Sequence, residues 1–477
     1  MAQLGSVYEK AGKYQLALEV AAQGQWVAQQ IGANDSLYPL QWLSGRIYRQ
    51  MGKTSEAIAN YRGAIASLQQ LRSQIASASP DVQIDTKTEV EPIYRELLSL
   101  LLTGSPSPKI LHNSVDIMQQ LQFSELQSFF GDACLELRQA IGNSQNPFSN
   151  SKAAIIHTIL LGDSNYTILK LPDGSIRAYP IAISEERLLQ EIETWRFQLE
   201  SSNIVRLEYR DLAEQLYNLL IRPMESDLLK SSVEELVFVN DGLLRNVPMA
   251  ALHDGDRFLI EKYPISISLG LNLKPSSPST YRKGASIFGL SVAVEDRELQ
   301  KEFPPLPYVP AETLQVQKLV GGDRFLNKNF TSDNFASEIQ KELPIVHLAT
   351  HGEFGGRLES TFLKAYDKFI SLPFLEEILA QRTEPIDLLT LSACQTAAGN
   401  ERAILGLAGV ALRSGVRNVM ASLWSVEDKT TAELITDFYR YLESGLDKAQ
   451  ALQLAQIAQL EKDSYVTQWA AFVAIFN

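Results

Sequence analysis

The chain contains only two cysteines in 477 residues, Cys134 and Cys394. Two thiols build neither a disulfide framework nor a multi-cysteine zinc site, so no metal is expected. Such sparse usage suits a reducing compartment, the cytoplasm. Histidine is scarce as well, with five residues. Basic residues are outnumbered, 43 Lys and Arg against 56 Asp and Glu, for a formal net charge of −13. That balance speaks against nucleic acid as the main partner, because phosphate binding needs clustered Lys and Arg. No apolar run reaches the ~18 residues of a membrane span. Stretches such as AIIHTILLG have strand length, and the opening MAQLGSVYEKAGKY lacks an apolar signal core. Neither a membrane partner nor a secreted location is expected.

What the chain has is apolar material for sizeable cores, 45% of its residues, and a length that suits several domains. Residues 1–75 carry an internal recurrence. Gly5, Tyr8 and Ala17 return as Gly45, Tyr48 and Ala57, each 40 positions on. Small residues let two helices approach closely and the aromatics fill the space between them. The pattern resembles the tetratricopeptide repeat, whose usual period is about 34. The extra residues are assigned to the connection IGANDSLYPL, and further repeats are expected to precede residue 1 in a longer natural protein. Concave helical repeats generally dock proteins, so a protein partner is expected here. Residues 76–149 read as a helical connector after the polar break PDVQIDTKT, with Cys134 as a core thiol on an amphipathic helix.

The periodicity changes at about residue 150. SKAAIIHTILL, YTILKL and IRAYPIAI, separated by LGDSN and PDGS turns, read as antiparallel strands. A helical stretch over 185–229 follows, then the buried strand LVFVND, further short strands and a linker at KPSSPST. From residue 284 strands alternate with helices. The strands are ASIFGLSVAV, PIVHLATHG, IDLLTLSACQT and VRNVMASLWSV; the helices cover 311–319, 372–381, 403–414, 430–443 and 448–460. Continuous apolar strands alternating with helices imply a mainly parallel sheet covered on both faces. In such a sheet, ligands bind beyond the carboxyl ends of the strands.

Two of those ends carry reactive residues. His351 follows the strand Ile345-Val346-His347-Leu348-Ala349-Thr350, and Cys394 follows Leu388-Leu389-Thr390-Leu391-Ser392-Ala393. They lie 43 residues apart (394 − 351), room for one crossover between neighbouring parallel strands. A thiolate is the nucleophile of such a pair and needs an imidazole beside it at neutral pH. The N–H groups of Gly352 and Cys394 are placed to hold a developing oxyanion. His347, four residues before His351 and inside the strand, reads as structural. His112, His157 and His253 have no evident partners.

The segments HLATHGEF, LLTLSACQT, GLAGVALRSGVRNVMASLWSVED and WAAFV, with FVNDGLLRNVPMAALHDGDRFLIEKY and PLPYVPAE before them, resemble the CHAT family of caspase-like, separase-related cysteine peptidases. The resemblance covers about residues 150–477. It implies a multidomain chain: helical repeats followed by an α/β caspase-like fold, with an inactive lobe at 150–280 and a catalytic lobe at 281–477. It also implies a dyad of His351 and Cys394 that needs no cofactor and cuts a protein substrate. An acidic residue after a Leu-Trp motif holds a basic side chain in separase-like relatives, which puts Asp428 in the first specificity pocket and favours cleavage after Arg. The plainer role for Asp428 is to cap the helix that follows it. The backbone from Ser422 onward is placed to pair with an extended peptide, with Trp424 as a pocket wall or as ordinary core. Two other readings stay open: a repeat scaffold whose peptidase lobe is inactive and binds partners, and a cysteine acyltransferase, for which no cofactor site is visible.

Overall fold

The computed structural model describes residues 1–78, 86–130, 152–200, 208–269, 282–296, 301–353, 361–392, 416–462 and 465–476. The chain divides into two compact units, Met1–Gln139 and Ala140–Asn477.

The first unit is helical: α1 (Ala2–Lys10), α2 (Tyr14–Ile31), α3 (Asn34–Gln50), α4 (Thr54–Ala78), α5 (Glu91–Leu101) and α6 (Pro108–Phe130). The recurring small residues do what their size permits. Ala17 and Ala57 fall in the first turns of α2 and α4, both fully buried. A Cβ added at Gly5 would lie 2.4 Å from Leu43 Cδ2, so α1 approaches α3 more closely than any side chain would allow. Ala17, Ala21, Leu40, Leu43 and Ile47 form the core between α2 and α3. One expectation is corrected. IGANDSLYPL is not a long connection: α2 runs to Ile31 and α3 starts at Asn34, so Gly32 and Ala33 alone separate them. Gly32 supplies the left-handed C-cap, φ 66°. Pro39 sits near the start of α3, where its missing N–H costs one hydrogen bond. The additional residues lengthen the helices instead.

The second unit is built on one sheet. Its strands are β1 (Ala153–Ile159), β2 (Asn165–Lys170), β3 (Ile176–Ile181), β4 (Glu235–Val239), β5 (Ile265–Ser268), β6 (Ala285–Gly289), β9 (Gly322–Leu326), β10 (Ile345–Ala349), β14 (Leu388–Leu391), β15 (Asn418–Ser422) and β16 (Phe472–Phe476). Two small ladders lie outside it, β7 (Val294–Asp296) with β8 (Lys301–Phe303), and β11 (Gly352–Glu353) with β12 (Phe362–Lys364) and β13 (Phe369–Ser371). The main sheet has the order β3-β2-β1-β4-β5-β16-β15-β14-β10-β6-β9. The hairpins β1/β2 and β2/β3 are antiparallel, as is β15/β16; every other neighbour pair is parallel. Strand β16 joins the two halves, parallel to β5 on one side and antiparallel to β15 on the other. The longer helices between the strands are α7 (Glu185–Glu200), α8 (Glu208–Leu220), α9 (Val309–Val320), α10 (Ser332–Ile339), α11 (Leu372–Ala380), α12 (Asp428–Glu443) and α13 (Lys448–Glu461). The expected fold class, helices followed by a mainly parallel α/β sheet, is the one observed.

The central strands β4, β10 and β14 are apolar almost throughout and buried, as strands covered on both faces must be. Trp195, Trp469, Phe288 and Phe438 are among the largest side chains buried in this unit. Among the described residues, no helix is long and apolar enough to cross a membrane.

Candidate active site

Strand β10 is flanked by β6 and β14, parallel to both. Its ladder with β14 pairs Ile345 with Leu388, Val346 with Leu389, His347 with Thr390 and Leu348 with Leu391. The offset is 43 in every pair (388 − 345, 391 − 348). One residue on, the Ser392 amide donates to the Leu348 carbonyl at 2.9 Å. Cys394 and the expected helix over 403–414 lie outside the described residues, as does Cys134.

His351 lies just past β10 and is held from both sides. Before it, the buried Thr350 hydroxyl donates to the Lys364 carbonyl at 2.5 Å. Its own carbonyl accepts from the Lys364 amide at 2.8 Å, and Gly352 then pairs with Leu363 in the β11/β12 ladder. The imidazole is partly exposed. Its Nε2 lies 2.8 Å from the Pro304 carbonyl. A carbonyl only accepts, so Nε2 carries the proton and the lone pair of the neutral ring is on Nδ1. Phe303 packs against the ring, centroids 5.4 Å apart.

Asp428 opens α12. Its Oδ2 accepts from the Tyr308 amide at 2.6 Å, and its Oδ1 is buried with no hydrogen-bond partner among the described residues. Burial pushes its carboxyl above the usual range; the Tyr308 amide opposes that, Glu312 adds to it, and His351 pulls the other way. The plainer expectation, Asp428 as the cap of the helix that follows it, is corrected: Glu427 is the N-cap, Asp428 is the first residue of α12, and its carboxylate binds the amide of Tyr308 at the head of α9.

Ser422 ends β15, buried and level with Phe472. Trp424 is 4% exposed. Its indole N–H donates to the Thr467 carbonyl at 2.8 Å, and the Arg196 guanidinium lies 5.7 Å from the ring centre. The Leu423 amide donates to Ala471. Strand β15 pairs with β16 through Ser422 and with β14 at Val419 and Met420.

Beneath the surface lies a polar chain whose partners the sequence did not reveal. His347, fully buried, has Nε2 at 3.0 Å from Glu312 Oε1, and Nδ1 at 3.4 Å from the Tyr439 hydroxyl. That hydroxyl is 2.9 Å from Thr390 Oγ1, and burial raises its pKa well above the ordinary phenol range. The chain links α9, β10, α12 and β14. His347 is structural, as its position inside a strand implied. The motif PLPYVPAE held the other signal, since its Glu312 falls on the buried side of α9.

Residues 210–477, more than half of the chain, match the family described as CHAT domain. The chain belongs to the CHAT domain family. None of the curated proteins matches it. Among solved structures it is similar to Saccharomyces cerevisiae separase in complex with securin. One such structure gives a TM-score of 0.46 at 10% identity, covering 100% of this chain and 47% of that one. A second gives 0.47 at 12% identity, covering 87% and 38%. It is also similar to the Arg-specific cysteine proteinase gingipain R, TM-score 0.36 at 9% identity, covering 61% and 75%. The chain therefore spans less than half the length of the separase chains it matches.

Proposed function

We propose that this protein is a caspase-like cysteine endopeptidase in which His351 and Cys394 form the dyad. The observation that carries this reading is the register of β10 against β14. Its offset of 43 equals the sequence separation of His351 and Cys394, which supports the two residues following neighbouring strands at matching positions. The Pro304 carbonyl supports it further: a base whose far nitrogen is held by an acceptor keeps the tautomer that faces the nucleophile ready to take a proton. Membership of the CHAT domain family agrees with it.

In this mechanism the Cys394 thiol gives its proton to Nδ1 of His351, and the thiolate sulfur bonds to the scissile carbonyl carbon. The carbonyl oxygen takes the negative charge and is met by the N–H groups of Gly352 and Cys394. The alternation of an antiparallel ladder supports Gly352 in this role. Lys364 donates to His351, which marks the pair 351/364 as the bonded one and turns the Gly352 amide away from β12. The C–N bond then breaks, the imidazolium proton goes to the leaving amine, and water cleaves the thioester. Asp428 selects Arg before the scissile bond, with the buried Oδ1, which has no hydrogen-bond partner among the described residues, as the oxygen that meets a guanidinium. Backbone at 424–426 pairs with the substrate beyond Ser422, and Trp424 backs that segment. Residues 1–75 act as tetratricopeptide repeats that dock a protein partner, and 76–149 connect them to an inactive lobe at 150–280 and a catalytic lobe at 281–477. The protein works in a reducing cytoplasm.

The test is to incubate wild type and Cys394→Ala with a proteome and map the new N-termini. Wild type is expected to generate termini preceded by Arg and the variant none; equal yields from both would sink the dyad. Termini that instead follow Asp would refute the Arg preference while leaving the dyad intact.

A further inference from the structure

Two of the candidate site's side chains hold the ends of one short segment. His351 Nε2 donates to the Pro304 carbonyl at 2.8 Å, and Asp428 Oδ2 accepts the Tyr308 amide at 2.6 Å. Between those points the chain reads Pro304-Pro305-Leu306-Pro307-Tyr308. Three prolines in five residues fix three φ angles, so the segment behaves as a stiff strap that carries a shift at one end to the other. It is pinned once more in the middle, where the Leu306 amide donates to the Ser291 carbonyl at 3.1 Å. Immediately after the strap α9 begins, and its buried Glu312 meets His347 inside β10, four residues before His351. The strap therefore connects α12 to the imidazole, and α9 ties the same unit back to β10.

We propose that Asp428 is a positioning residue for His351: by anchoring the Tyr308 amide, it fixes through the 304–308 strap the carbonyl that orients the imidazole. The role rests on the dyad reading above and goes beyond a specificity pocket. Oδ2 holds the strap, while Oδ1 makes no hydrogen bond among the described residues. Burial raises the Asp428 carboxyl pKa, and the Tyr308 amide that the strap supplies works against that rise. The groups that face it are Glu312 from α9, His351 at the end of β10 and Glu427 beside it.

The strap role needs an acceptor at position 428, whereas an Arg pocket needs a charge, and this difference separates them. Iodoacetamide labels Cys394 at a rate that reports how well the imidazole holds the thiolate, with glutathione added as the reference thiol. The rate is read between about pH 5 and 8 by mass spectrometry on the full chain. His351→Ala sets the scale. Asp428→Ala is expected to slow labelling by about tenfold or more, the usual loss when the group behind a ligand or base is removed. Asp428→Asn, whose amide oxygen still accepts from Tyr308, is expected to recover most of that loss. Tyr308→Pro removes the donor without touching Asp428 and is expected to slow labelling as Asp428→Ala does. Thermal unfolding of each variant confirms that folded protein is being compared. A rate lowered by His351→Ala but unchanged in Asp428→Ala and Tyr308→Pro overturns the positioning role alone. Asp428→Asn as slow as Asp428→Ala overturns it too, because charge rather than the anchor then matters. A rate that His351→Ala leaves unchanged sinks the dyad and this role together.

Discussion

The two halves of the main sheet use the same device to different ends. Each contains an adjacent pair of buried parallel strands, β1 with β4 and β10 with β14, and each has a histidine inside the first strand of the pair. Beyond that they diverge. Past β4, the fully buried Asp241 accepts the Leu160 amide at 2.9 Å and donates its own amide to Thr158 Oγ1 at 2.9 Å. The two strand ends are laced to each other, and the carboxylate is used up in doing so. Past β10, the chain instead presents an imidazole to the surface and steadies it with a carbonyl from a separate strap. The lesson is that a strand end in this fold is either sealed by local hydrogen bonds or left open and held from outside. Only the second arrangement leaves a side chain partly exposed at the strand end.

The largest effect that breaks the comparison is expected at His351. His351→Ala should lower turnover by about 10²–10⁴-fold, the usual contribution of a positioned acid–base group, measured as product termini per minute with folded protein held constant. An equivalent change in the sealed half should leave turnover per folded molecule unaltered. There Asp241→Ala removes the carboxylate that the buried Leu160 amide donates to and should cost about 1–3 kcal/mol in urea unfolding. Unchanged stability would mean that the end of β4 is not sealed in the way described.

A smaller contrast is in pH. Burial holds His157, in β1, neutral down to about 3. The unfolded chain takes up that proton near the ordinary histidine value and the folded chain does not, so stability should fall as pH drops from there toward 3. In His157→Gln that part of the slope should vanish. Smaller still is the effect of Glu235, in β4. Burial pushes its carboxyl up to about 7, against the opposing hydrogen bond from Ser266. Here the folded state binds the proton more tightly. Stability should therefore decrease as pH rises from the usual carboxylate range through 7, and Glu235→Gln should flatten that segment of the curve.

Much of this was legible in the sequence, and the limits are physical. The hairpins β1, β2 and β3 announced themselves by short apolar runs between Gly and Asp turns. The strands ending in Ala349 and Leu391 did so by runs too apolar for a half-exposed strand. Strand β16 was not recognised, because Phe472-Val473-Ala474-Ile475-Phe476 is an apolar run that suits a helix as well as a strand. Its place between β5 and β15 is a matter of sheet order, which local pattern does not encode. The Gly-Ala-Asn-Asp and Pro signals of IGANDSLYPL suggested a loop, but packing of Leu37, Leu40 and Leu43 kept the helix going. At the candidate site, His351 was singled out by its position after a strand, and Asp428 by the resemblance to separase-like relatives. The 304–308 strap between them was not, since its function depends on two contacts made to residues 47 and 120 positions away.

Strand β16 has a consequence for how the molecule is made. It is the last of the sheet's strands to leave the ribosome, yet it belongs in the middle. Until residues 472–476 have been synthesised, β5 and β15 each present a bare edge of unpaired N–H and C=O groups, and the two halves have no common seam. A nascent chain that stalls short of this strand is at risk of pairing with a neighbour. By the same token, the open strand ends are backed by a complete sheet only after nearly all of this domain has been translated. A sheet built in this order acquires its seam only after its other strands have been made.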